Sequence, residues 1–197
     1  NWDIQAGEKV ALVGRSGTGK STLMKLMISL FPIDEGKIEI DGTDMKEIID
    51  LVDISKYAGE RIDLVQAGGG NSSVKFDNGQ MVIKASGYSL SELVDGYGYS
   101  TVLTKQVAEI VKNKKVIASE SKKERENITS QLVKKATLDN NNRPSIETLL
   151  HSFLLKYTLH THPIAVNIIL AKNDWKNILK LIFPEDELAL VEYQTPG

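Results

Sequence analysis

The 197-residue chain is 41% hydrophobic and 25% charged, ordinary for a packed domain, and its formal net charge of −2 gives no general pull toward nucleic acid or anionic membranes. It has no cysteine, which excludes a disulfide framework and thiolate metal sites and fits a reducing, cytoplasmic setting. No apolar run approaches the ~20 residues of a membrane span. The start at Asn1-Trp2-Asp3 lacks an initiator Met and a basic leader, and the end at Pro196-Gly197 is turn-like, so both read as cuts within something longer.

Lys9 to Gly14 is a short apolar run bounded by glycine, which predicts a buried strand. A Gly/Ser/Thr loop follows. Thr22 to Phe31 then has helical spacing, ended by Pro32 and Gly36. Lys37 to Ile40 alternates polar and apolar, and Asp41-Gly42 signals a hairpin turn. The character changes near Ile48 to Asp50. Ile49 to Glu60 reads as an amphipathic helix, and a glycine cluster, Gly68-Gly69-Gly70-Asn71-Ser72-Ser73, lies between two apolar runs. Met81 to Lys84 predicts a strand, Ala85-Ser86-Gly87 a tight turn, and Ser100 to Lys112 has helical periodicity. Ser119 to Glu126 is a charged run, read as a solvated helix face or connector. Asp139 to Asn142 is a polar turn. Pro144 to Leu155 predicts a helix with Pro in its first turn and Ser145 near its cap. Tyr157 to Leu159 is a short strand leading into His160-Thr161-His162-Pro163.

Gly14-Arg15-Ser16-Gly17-Thr18-Gly19-Lys20-Ser21 fits G-x-x-x-x-G-K-[ST] at every fixed position. Glycines let the backbone turn its N–H groups onto an anion, and a helix opening near Lys20 adds its positive end. Lys20 would reach the terminal phosphates, and the Ser21 hydroxyl would ligate Mg²⁺. Around this loop, Ile4 to Gly14 and Gly36-Lys37-Ile38-Glu39-Ile40-Asp41-Gly42 resemble the nucleotide-binding domain of ABC transporters over about residues 1–48. The resemblance implies ATP bound with Mg²⁺, with Gly14, Ser16, Gly17, Thr18, Gly19, Lys20, Ser21 and Thr22 around the phosphates. Neither an apolar strand ending in Asp-Glu nor a Leu-Ser-Gly-Gly-Gln signature follows. Weak nucleotide binding with negligible hydrolysis is therefore expected.

All three histidines, His151, His160 and His162, fall within twelve residues. On a strand, His160 and His162 share a face, and two imidazoles on one face can chelate one metal ion. Gly69-Gly70-Asn71-Ser72-Ser73-Val74-Lys75, Ile83-Lys84-Ala85-Ser86-Gly87, Ser145-Ile146-Glu147-Thr148 and His160-Thr161-His162-Pro163 occur in that order. The ordered set resembles the class II aldolase/adducin-like family over about residues 49–197. The likeness is to the rhamnulose- and fuculose-phosphate aldolase type, as found in aldolase–dehydrogenase fusion proteins.

What this resemblance implies is specific. Zn²⁺ would be bound by His160 and His162 together with a third histidine from a later segment. Glu147 would be the acid/base, with a raised pKa. Asn71, Ser86, Gly87 and Ser145 would line a pocket for the phosphate of a sugar phosphate. Ile146 departs from a hydroxyl residue that some members carry. His151 lies four residues after Glu147 on the same helical face and reads as a packed or capping histidine rather than a ligand. No histidine follows His162, so the third ligand is missing.

The expected fold class is α/β: a truncated class II aldolase-like α/β/α domain over 49–197, preceded by a strand-loop-helix P-loop fragment over 1–48. The expected function is a zinc-dependent sugar-phosphate C–C lyase domain fused to an ATP-binding fragment, with little or no activity in isolation. Two alternatives stand beside it: the ATP-binding module of an ABC transporter, and a non-catalytic adducin-like structural domain. The expected partners are a sugar phosphate and a nucleotide, with no nucleic acid and no membrane segment, and the resemblance adds a homo-oligomer. A junction near residues 48–50 between two incomplete parts reads more simply as a misassembled frame or a deliberate fusion than as a natural bifunctional enzyme.

Overall fold

A computed structural model describes residues 2–5, 7–15, 17–27, 31, 33–40, 42–139, 142–184 and 188–192. Ser16 of the phosphate loop, Pro32 at the predicted helix stop, Asp41 of the hairpin turn, Asn140 and Asn141 of the polar turn, and the final residues 193–197 lie outside the described residues. The chain forms two compact units, Asn1–Lys46 and Glu47–Gly197.

In the first unit the loop opens helix α1 (Lys20–Met27). A two-residue hairpin, β1 (Glu39–Ile40) with β2 (Thr43–Asp44), forms where alternation and the turn signal predict it. The strand predicted over Lys9 to Gly14 does not form. No described residue of this unit is buried, and Val13 is 92% exposed. A β-run of this kind is stable only when neighbouring strands take up its backbone groups and helices cover its faces. Among the described residues no strand pairs with it, so the apolar run stays without regular structure and exposed.

The second unit carries the sheet. Helix α2 (Met45–Gly59) precedes strands β3 (Asn71–Lys75), β4 (Gln80–Lys84) and β5 (Tyr99–Leu103); β6 (Tyr157–His160) completes an antiparallel sheet in the order β5-β4-β3-β6. Between β5 and β6 come α3 (Thr104–Glu109), α4 (Lys114–Ile117), α5 (Lys122–Ala136) and α6 (Thr148–Phe153). Helices α7 (Ile164–Leu170) and α8 (Trp175–Ile182) follow β6.

The period-2 pleat sorts the core into two layers. Val74 and Val82 pack with Phe76 against Ile48, Leu51 and Val52 of α2. Met81 and Ile83 point the other way, packing with Val102, Val107, Ala136 and the half-buried Leu149. The sheet is thus covered by α2 on one face and by α3, α5 and α6 on the other, the α/β/α layering that the sequence predicts.

Three local expectations need correction. Ser100 to Leu103 is strand, not helix: Met81 pairs with Val102 and Ile83 with Ser100, and only Thr104–Glu109 is α-helical. The predicted helix from Pro144 begins instead at Thr148, because Pro144 bridges to Ala85 and the Ser86 N–H donates to the Arg143 carbonyl at 2.8 Å. The polar end of the glycine cluster, Asn71 to Ser73, is the buried start of β3.

Candidate functional site

On β3, Ser72 and Val74 face α2, where the Ser72 and Ser55 hydroxyls lie 2.7 Å apart. Asn71, Ser73 and Lys75 therefore face α6. Each finds a polar partner there. The Asn71 amide donates to Glu147 Oε2 at 3.1 Å, Ser73 Oγ lies 2.8 Å from His151 Nδ1, and the Lys75 ammonium donates to the Leu154 and Leu155 carbonyls at 2.8 Å each. A strand lined this way buries polar atoms at low cost, since each is hydrogen-bonded.

The register sets Asn71 opposite His160 at the end of β6. His162 follows on the extended exit from that strand, its N–H donating to the Leu64 carbonyl at 2.9 Å. The two imidazole Nε2 atoms lie 3.1 Å apart. Gly69 makes room for this: a Cβ there would stand 2.9 Å from His162 Nδ1 and 3.0 Å from the Gln66 carbonyl. The glycine cluster thus lets the chain pass tightly beside the histidine pair.

Glu147 sits at the N-terminus of α6, held on one oxygen by Asn71 and by the Ser145 hydroxyl. Burial works to raise its pKa, but the bonds from Ser145, its own backbone and Asn71, with the charge of His160, outweigh it. The carboxyl lies below the ordinary glutamate range. The raised pKa expected for an acid/base at this position is therefore not what the surroundings produce; Glu147 is a carboxylate at neutral pH. Burial lowers the pKa of His160, helped by His162 and opposed by Glu147. His151 is fully buried and its pKa falls to about 4, first through burial and then through His160.

The predicted residues of this unit thus divide. Asn71, Ser145, Glu147, His160 and His162 come together. Ser86 and Gly87 lie exposed on the tight turn after β4, tied to the Arg143–Ser145 segment by the Ser86 bond. Ile146 points outward at 85% exposure. Two buried participants have no reading in the sequence beyond their motif: Ser73, which holds His151, and Lys84. Lys84 is 3% exposed and its ammonium donates to the Tyr88 carbonyl at 2.7 Å; burial lowers its pKa, with Glu147 opposing. A lysine inside an otherwise apolar strand run was the available signal for Lys84.

For a divalent cation, the donor chemistry fits two positions. A separation of 3.1 Å suits two nitrogens on one tetrahedral ion with bonds of ~2.0–2.1 Å. Among the described residues, no group of three or more His, Cys, Asp or Glu is placed to hold a metal.

In the first unit, Gly17 and Gly19 adopt positive φ (83° and 85°), the conformation a phosphate loop needs and only glycine takes freely. The Lys20 ammonium folds back onto the Gly14 and Arg15 carbonyls at 2.7 and 2.6 Å, and onto Thr18 Oγ1 at 3.2 Å. An incoming phosphate must replace those bonds. A hollow of about 430 Å³ beside α1 shares only Thr22 with the predicted nucleotide residues and is not the loop itself. Among the described residues no helix is long and apolar enough to cross a membrane.

A family model described as ABC transporter matches residues 1–151. Among curated proteins, the chain is 44% identical over 48 residues to ABC transporter B family member 24, mitochondrial, of Arabidopsis thaliana, covering 24% of this chain and 7% of that protein. It is 55% identical over 47 residues to the ATP-dependent lipid A-core flippase of Escherichia coli (strain K12), covering 24% of this chain and 8% of the flippase. The chain thus spans less than a tenth of these relatives. Among solved structures, it is similar to the N-terminal class II aldolase domain of a conserved protein from Thermoplasma acidophilum. The TM-score is 0.56 and the identity 24%, over 78% of this chain and 70% of that one. That likeness is one of fold. The pairwise alignments have nearly the length of the first unit, whereas the family match runs on into the second unit.

Proposed function

The chain belongs to the ABC transporter family, and from its phosphate loop and its aldolase-like unit we propose a phosphate-handling protein with two separate sites. The loop of the first unit binds ATP with Mg²⁺ weakly and hydrolyses it negligibly. The second unit is a zinc-dependent sugar-phosphate lyase centre of low activity. The observation that carries the second site is the His160–His162 pair, with Nε2 atoms 3.1 Å apart, beside a Glu147 held by Asn71 and Ser145.

A zinc ion at the pair would supply Lewis-acid polarisation of the substrate oxygens. The chain's own groups do the rest. Glu147, ionised and oriented by two hydrogen bonds, accepts or returns a proton as the C–C bond of a ketose 1-phosphate breaks or forms. The exposed Ser86-Gly87 turn and the neighbouring Ser145 grip the phosphate through neutral donors. With two imidazoles as the described ligands, His160 and His162 would hold zinc loosely, and turnover would be slow.

Metal analysis of the purified chain tests this reading. Bound zinc should drop to background in a His160→Ala/His162→Ala double variant; equal zinc in both proteins would show that the pair is not the site and favour a non-catalytic, adducin-like role. For the loop, Lys20→Ala should weaken ATP binding by calorimetry about tenfold or more, since one charge-assisted bond is worth ~1.5–3 kcal/mol. An unchanged affinity would remove Lys20 from the nucleotide site.

A further inference from the structure

Among the described residues, two nitrogens of the second unit are buried without a hydrogen-bond partner: His151 Nε2 and His160 Nδ1. They belong to neighbouring rings, 6.4 Å apart between centroids and tilted by 45°. Buried polar atoms are almost always paired, and two orphans on adjacent rings call for a common partner. The rings make no direct bond. A buried water needs two to four polar neighbours and typically makes about three bonds. Here it has the two ring nitrogens. These are within the two to four that such a water requires.

We propose that one buried water joins His151 Nε2 to His160 Nδ1, so that Ser73, His151, the water and His160 form a relay that orients the His160 ring. The proposed relay has one direction. Ser73 Oγ lies 2.8 Å from His151 Nδ1, and in the proposed relay the hydroxyl is the donor. His151 is then the Nε2–H tautomer and donates to the water. The water donates to His160 Nδ1. In the metal-free chain His160 Nε2–H in turn donates to His162 Nε2 across 3.1 Å, a proton that zinc at the pair would displace. Every ring nitrogen between Ser73 and the His160–His162 contact acquires a partner. His151 is a positioning residue: it touches neither substrate nor cation but sets which nitrogen of His160 carries the proton.

The inference concerns the histidine pair of the proposed function but stands on the metal-free chain, so failure of zinc to bind leaves it intact. The test uses the full chain, freed of metal with chelator and labelled with ¹⁵N-histidine. Long-range ¹H–¹⁵N spectra should show His151 and His160 each in the Nε2–H form, with the His151 proton protected from exchange and giving a cross-peak to a long-lived water. A His151 Nδ1–H form, or no such water, overturns the relay in the wild-type protein itself. In folded variants, Ser73→Ala should mix the His151 tautomers, and His151→Leu should release the His160 tautomer preference. His151→Gln, which keeps an amide at that depth, should restore it. A folded His151→Leu variant with unchanged His160 signals also overturns it. Zn²⁺ added afterwards reports separately on the proposed metal site.

Discussion

Gly59→Ala is expected to destabilise the second unit by about 3 kcal/mol, although alanine is the better helix former. Gly59 is the last residue of α2, and a Cβ there would stand 2.4 Å from the Ser91 nitrogen and 2.8 Å from both the carbonyl carbon and the Cβ of Leu90. Those atoms belong to a 3₁₀ turn, Leu90–Glu92, whose Leu90 is fully buried with Ala58 and Val65. Nothing flexible can yield, so the turn or the helix must shift, and overpacking of this kind costs ~1–3 kcal/mol or more. The gain of ~1 kcal/mol from helix propensity does not offset it. Gly79→Ala is the control: its Cβ meets nothing within 4 Å, and only the positive φ of 84° opposes it, a cost of ~1–2 kcal/mol. Urea unfolding of the three proteins decides the matter. A Gly59→Ala midpoint at or above that of Gly79→Ala would show that the α2–turn contact gives way easily.

Acidification should begin to destabilise the metal-free chain before its carboxylates titrate. His151 has a folded pKa of about 4 against an ordinary 6.5, lowered chiefly by burial. The unfolded chain therefore takes up this proton first, and stability falls as the pH drops below about 6.5. It is fully present above that value and lost progressively down to about 4. A shift of that size is worth ~3 kcal/mol at the bottom of the window. The lowered pKa of His160 acts in the same direction, and that of Glu147 adds a further loss at lower pH. Unfolding free energies measured from pH 7 to pH 5 should show a positive slope with pH, reduced in His151→Gln. An unchanged slope in that variant would place the pH-sensitive group elsewhere.

Much of this protein was legible as local chemistry. The phosphate loop was readable because its function needs glycines, a lysine and a hydroxyl at fixed spacing, and the backbone takes up that conformation on its own. The hairpin at Glu39–Asp44, helix α2, the strand at Met81–Lys84 and the turn at Ser86-Gly87 were readable for the same reason: each is specified by periodicity or turn residues within a few positions. The convergence of His160 and His162 also follows from chain geometry alone.

Other features depend on partners far along the chain, and only the tertiary structure decided them. The Lys9 to Gly14 run has strand composition but no pairing strand among the described residues, so composition did not make it a strand. Asn71 to Ser73 has the composition of a loop, yet it is buried strand because α2 and α6 supply hydrogen-bond partners to its two faces. Ser100 to Leu103 has helical spacing, yet pairing with β4 outweighs it. Against burial, which raises it, the pKa of Glu147 is depressed by Ser145 close by, then by its own backbone and by Asn71, distant in sequence, and none of these orientations can be read from a motif. Local patterns specify what a segment can do by itself; whether a polar strand is buried or an apolar one exposed is settled by which distant groups the fold brings to it.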